Sequence, residues 1–276
     1  MHAHRRAARR ATGALALILP TLLAACVNDR PETAPTGSAD PVPVQVDAAR
    51  DELAGLAAAA QDRHHTAAYS FTPAEGAPRT VAVTSANDGS WRVDVPGWGR
   101  DGTVDVSLAA TSDGLFQCAL PSAGWTQAAS CVRLGDADDA VPRRLDPRVQ
   151  HPFTDWLEVL TDRRAPLAVS PAAPLPGVTG RCYSVDTTSA SLNAPLDVGI
   201  YCFREDGTPA AVRAGFGTLT LTGEPGAAPG TVELAGAVTD GEPVSRDAPE
   251  PGSAVTRSAQ PPRAARSNAA PTSVLR

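Results

Sequence analysis

LDVGIYCFREDGTPAAVRAGFGTLTLTG, residues Leu196 to Gly223, decides the fold. Two apolar runs flank Asp206-Gly207, and Asp-Gly between such runs is the strongest short-range signal of a hairpin, because the glycine supplies the positive φ that the tight turn demands. The same pair recurs upstream at Asp88-Gly89 and Asp113-Gly114. Around these turns lie short runs rich in β-branched and aromatic residues: AAYSF, RTVAVTS, WRVDV, TVDVSLAA, LFQCAL and WTQAASCVRL in the first half, then GRCYSVD before the opening stretch and TVELAG after it. Three Asp-Gly turns among so many short strands predict an antiparallel meander.

Two segments break the alternation. DAARDELAGLAAAAQDRHH, residues 47–65, consists of strong helix formers, with Leu53, Leu56, Ala57 and Ala60 on one stripe and charges opposite, which predicts an amphipathic helix. PFTDWLEVLTDRR, residues 152–164, places Phe153, Trp156, Leu157 and Leu160 at i, i+3, i+4 and i+7, the spacing of a short helix with one apolar face. Such a face reads either as ordinary core packing or as the cover of a ligand cavity. Helix, strands, helix, strands is the order of an α+β domain built on one strongly twisted antiparallel sheet.

The ends read differently. Arg5, Arg6, Arg9 and Arg10 precede a short apolar run broken by Pro20 and closed by Leu23-Ala24-Ala25-Cys26. A span needs about 20 apolar residues, so this shorter run is expected to be an export signal, residues 1–25. Its last four residues resemble the lipobox of bacterial lipoproteins. The resemblance implies that Cys26 is acylated, becomes the new N-terminus on cleavage, and holds the protein on the outer face of the cell membrane. Residues 26–47 are rich in Pro, Thr and small polar residues and read as a tether, and residues 241–276 carry almost no large apolar side chain and read as a disordered tail. The folded body is expected over residues 48–240.

All 24 basic residues are Arg. Without Lys there is no P-loop, no Schiff-base cofactor site and no Ser-x-x-Lys nucleophile. Between residues 26 and 240 there are 15 Arg against 27 Asp and Glu, a field that repels nucleic acid. No Gly-x-Ser-x-Gly elbow occurs either. A non-catalytic protein without cofactor is expected.

Cys118, Cys131, Cys182 and Cys202 make an even set in an exported domain, which points to disulfides. Four cysteines allow three connectivities. Each sequential pair lies in two neighbouring strand-like runs, which favours Cys118 with Cys131 and Cys182 with Cys202; Cys-x-x-Cys spacing, the mark of a zinc site, is absent from the sequence. His64-His65 at the end of the first helix point about 100° apart and make a poor metal pair. The run Gly135-Asp136-Ala137-Asp138-Asp139 lacks the Gly and distal Glu of a calcium loop and reads as a solvated turn. No metal site is expected.

A lipobox, a Pro-rich tether, an Ala- and Leu-rich first helix, antiparallel strands with an inserted helix, and a last hairpin around GIYCFREDGTPAAVRAGF together resemble the LolA/LolB-type half-barrels. They are similar also to the LppX- and LprG-like lipid-carrying lipoproteins of high-GC Gram-positive bacteria. The resemblance covers residues 48–236 and implies a half-barrel whose concave face and helical lid enclose a cavity for acyl chains. Leu53, Leu56, Phe153, Trp156, Leu157 and Leu160 would then line it. The paired cysteines, the scarcity of Phe and Met and the long tail depart from that pattern.

Overall fold

In the computed structural model, which describes residues 44–189 and 194–247, the body opens with α1 (Val44–Gln61). A first meander follows: β1 (His65–Pro73), β2 (Arg79–Ser85), β3 (Trp91–Gly99), β4 (Val104–Thr111), β5 (Gly114–Leu120) and β6 (Ser130–Gly135). Two single-turn helices, Arg143–Leu145 and His151–Phe153, lead into α2 (Asp155–Thr161). The second meander is β7 (Leu167–Ala172), β8 (Arg181–Thr187), β9 (Gly199–Phe203), β10 (Pro209–Ala214) and β11 (Gly217–Ala227), and a two-residue strand, β12 (Ala237–Val238), comes last. The signal segment, Cys26, most of the tether, and residues 248–276 of the expected tail lie outside the described residues.

All twelve strands belong to one open sheet, in the order β12-β6-β5-β4-β3-β2-β1-β11-β10-β9-β8-β7. Each meander pairs only with itself except at the join, where β1 runs antiparallel to β11 with Tyr69 opposite Leu221 and Phe71 opposite Leu219. The expected Asp-Gly hairpins are all present: Gly89 (φ 85°), Gly114 (φ 136°) and Gly207 (φ 84°) turn the chain between β2 and β3, β4 and β5, and β9 and β10. At Gly207 space matters as well as φ, because a Cβ would stand 2.7 Å from the α1 backbone at Ala59. The purely antiparallel expectation needs one correction, since β12 runs parallel to β6. The sheet is therefore mixed, though only at this edge.

Both disulfides form, and each joins residues directly opposite one another on adjacent strands. Cys118–Cys131 staples β5 to β6, and Cys182–Cys202 staples β8 to β9. Closing loops of this length stabilises by roughly 3 kcal/mol each in the chain-entropy model. One staple falls in each meander.

The face of the second meander is covered by helices. Ala49, Leu53, Ala57 and Ala60 of α1 form a buried stripe that packs with Trp156, Leu157 and Leu160 of α2 onto Tyr183, Tyr201, Phe203 and Val212. Arg50 ties the two helices together: its guanidinium donates to the carbonyls of Asp162 (2.9 Å), Ala165 (2.8 Å) and Leu167 (2.6 Å), just past the C-terminus of α2. The first helix ends at Gln61, four residues before the expected end. His65 opens β1 instead of closing a helix, so the two adjacent histidines lie in a connection and a strand.

Residues 229–247 form a strap, which the sequence reading did not anticipate. TVELAG was expected as a strand, but residues 231–236 pair with no strand. Val232 and Leu234 lie instead on Ala86 and Ala109, while Ser90 Oγ accepts from the Val232 amide (2.9 Å) and Arg92 donates to the Glu233 carbonyl (3.3 Å). After β12 the strap continues past residue 240, where the tail was expected to begin. Val244 packs with Val95, Val106 and Ala119, and the Gln117 amide exchanges two hydrogen bonds with its backbone, at 2.7 and 3.0 Å. Ala109 and Leu108 alternate to opposite faces of the sheet, as neighbouring residues in a strand must. Val106 shares the Leu108 face, so the strap touches one face at Val232 and the other at Val244, having rounded the β6 edge between them.

Candidate functional site

A cleft of about 1080 Å³ opens where the C-terminus of α1, the first three strands and the segment leading into α2 meet. Its apolar lining comes from Val83 of β2, Trp91 of β3, Phe153, and Trp156 and Leu157 of α2. Its polar lining comes from Arg63 and His65, from the Ala137–Arg143 loop, and from Asp146, Arg148, Gln150, His151, Asp155 and Asp197.

Of the six side chains expected around a ligand, three reach the cleft: Phe153, Trp156 and Leu157. Leu53 and Leu160 are buried in the helix-covered core and Leu56 packs against it. Even Trp156 is only 2% exposed. Its ring stacks on His151 (centroids 5.1 Å apart, planes 16° apart), meets Tyr201 edge-on at 6.1 Å and lies 6.0 Å from Phe216. Phe153 bridges to the other half of the sheet through Tyr69, at 4.7 Å. The apolar stripe of the inserted helix is thus core on one side and cleft wall at its N-terminal end.

The polar wall was not singled out from the sequence. His151 sits between two carboxylates: Nε2 donates to Asp146 (2.9 Å) and Nδ1 donates to Asp155 (2.6 Å). Burial works to lower its pKa, but the hydrogen bonds to Asp146 and Asp155 and their charges outweigh that and raise it to about 9. Asp146 shows the reciprocal balance: burial opposes ionisation, yet His151 and Gln150 hold its pKa below the ordinary carboxylate value. Both ring nitrogens are committed, so His151 has no lone pair with which to activate a nucleophile. It is a fixed cation that pins the N-terminus of α2 to the preceding turn. The spacing DPRVQHPFTD carried the signal, since His151 and Asp155 stand four residues apart, although the pairing with Asp146 depends on a turn that no periodicity announces.

Two further cations of the wall are also neutralised. Arg148 pairs with Asp197 at 2.5 Å, and Arg63 pairs with Asp206 at 3.0 Å. His65 is buried, and burial lowers its pKa, so the ring is neutral. His64 stays near the surface, 3.4 Å from Ser85 Oγ. The acidic run behaves as a self-contained turn: Asp139 accepts from the Asp136 amide (2.8 Å) and Asp136 pairs with Arg133 (2.6 Å). Among the described residues, no group of three or more metal-ligating side chains converges, and no helix is long and apolar enough to cross a membrane.

No protein-family model matches this chain, and no curated protein matches it.

Proposed function

We propose that this is an acylated envelope lipoprotein whose body binds an amphipathic lipid or acyl chain without catalysis, in the cleft between the sheet and α2. The observation that carries the reading is the cleft itself, about 1080 Å³ with Val83, Trp91, Phe153, Trp156 and Leu157 along it. That is at the upper end of the volumes that enclose small ligands. Burial of an acyl chain contributes about 0.8 kcal/mol per methylene, so an apolar strip of this kind suffices without special polar chemistry. In this reading α2 forms one wall as a fixed lid, Cys26 carries the acyl anchor, and the tether holds the body off the membrane.

A second reading, an envelope protein that acts through protein contacts and holds no small molecule, is favoured by one observation. Leu53, Leu56 and Leu160 fill a continuous core and line no cavity. The two part on the organic extract of natively purified protein, examined by mass spectrometry. One lipid per chain, reduced in a Trp91→Glu variant that changes the half-buried cleft wall, is the expected result. A clean extract from folded protein, together with no uptake of added lipid, would overturn the carrier reading.

A further inference from the structure

The cleft's charge and its unpaired atoms restrict what kind of headgroup fits. Arg63, Arg148 and His151, the cations whose partners are described above, each face a carboxylate within 3.0 Å. The acids are less fully engaged: Glu158 and Asp138 line the same cleft and have no ion-pair partner among the described residues. Two side chains of the wall are more than nine-tenths buried and keep a polar atom without a partner. Gln150, 1% exposed, donates to Asp146 through Nε2 (2.8 Å), and its Oε1 accepts nothing. His65, 6% exposed, has Nδ1 3.3 Å from the Arg63 carbonyl, so Nδ1 carries the proton and Nε2 presents an unused lone pair. Both atoms are acceptors. An unsatisfied buried acceptor is destabilising by about 1–3 kcal/mol, and a ligand that donates hydrogen bonds relieves it. The third unpaired atom, Arg63 Nε, is a donor, and a hydroxyl beside the ligand's donor group meets it.

We propose that the cleft selects an amine-bearing, cationic amphiphile, with its ammonium group received by Gln150, His65 and the unpaired carboxylates while its chain lies along Phe153 and Trp91. This deepens the lipid-binding reading and rests on it. An anionic headgroup meets the opposite situation, because the Arg63, Arg148 and His151 cations already have partners and the surplus charge is negative.

The test uses the full chain and three single-chain probes of equal length, each below its micelle concentration: dodecylamine, dodecyl glucoside and dodecyl phosphate. Affinities are read by titration calorimetry. Dodecylamine is expected to bind at least about fivefold more tightly than the glucoside, the scale of one partly screened charge contact, with the phosphate weakest. Glu158→Gln, at an exposed position, should reduce that preference about two- to fivefold and leave glucoside binding unchanged, whereas Glu75→Gln, an exposed acid outside the cleft, should change neither. Phosphate or glucoside binding as tight as the amine would overturn the headgroup assignment and leave the lipid-binding reading standing. Equal losses in Glu158→Gln and Glu75→Gln would overturn it too, because overall charge alone would then explain the preference. If none of the three probes binds, both readings fall together.

Discussion

The two meanders bury the same kind of surface with different partners. The β7–β11 half lies under two helices, where Leu53, Trp156 and Leu160 close over Tyr183, Tyr201 and Phe203. The β1–β6 half is covered by pieces of irregular chain: Val149 and Phe153 from the turns before α2, and Val244 from the strap. In both, central residues such as Val106, Leu108 and Tyr201 are 0% exposed. A sheet face thus needs apolar area and satisfied backbone groups above it, and regular structure is one way among several of supplying them. What differs is how the cover is attached. The helices hold by a broad apolar interface, whereas the end of the strap holds by one valine and one amide side chain.

The most damaging change should be Trp156→Asp, which places a carboxylate in the helix-covered core. Loss of an aromatic contact set plus an unpaired buried charge should exceed about 4 kcal/mol, read as loss of the cooperative urea transition. A variant that remains folded with native stability would mean that the helices are not the main cover of that half.

Next come the staples. Cys118→Ala with Cys131→Ala, and separately Cys182→Ala with Cys202→Ala, should each lower stability by roughly 3 kcal/mol, since the spans of 13 and 20 residues are similar. If the two halves unfold as one unit the losses will match. A first-meander loss that leaves the second meander's amides protected from hydrogen exchange would split the sheet into two cooperative units.

Third is the carboxylate clamp at the start of α2. The folded pKa of His151 is raised to about 9 from an ordinary 6.5. Its contribution, roughly 2–3 kcal/mol, is therefore complete below pH 6.5 and is lost as pH rises through 9. The lowered pKa of Asp146 acts at the other end, its contribution being present above 3.8 and lost as the medium becomes more acidic. Melting temperature against pH should fall on the alkaline side, and His151→Gln should remove that slope. A slope unchanged in the variant would sink the assignment.

The smallest effect belongs to the strap. Val244→Ala should destabilise by about 1–2 kcal/mol, with the Arg100 and Asp101 amides, which donate to Ser245 and Arg246, exchanging faster than the rest of the sheet. Uniformly faster exchange would instead make the strap an integral part of the core.

What the sequence disclosed follows the same divide. Asp-Gly turns, the stripe of Leu53 and Ala57, the spacing of Trp156 and Leu160, and cysteines in adjacent runs are local signals, and each led to the observed element. The strap escaped because alternation in TVELAG says that a segment is extended without saying what it pairs with. One signal was available: Gln117 stands in the apolar run LFQCAL and is 2% exposed, and a buried amide requires a partner. The cleft's polar wall escaped for a related reason. Asp146, Arg148, His151 and Asp197 are ordinary surface residue types, and only the turns before α2 and the approach to β9 bring them together.

The pairing of β1 with β11 also has a consequence in time. Tyr69 meets Leu221 across the join, so nearly the whole body separates two strands that lie side by side. A chain emerging N-terminus first can form the β1–β6 meander and its disulfide early, from neighbours only. Until β11 arrives, β1 is a bare margin of unpaired amides and carbonyls, the kind of template on which another chain can add. Assembly of this molecule therefore contains an exposed interval whose length is set by how fast the second meander follows the first.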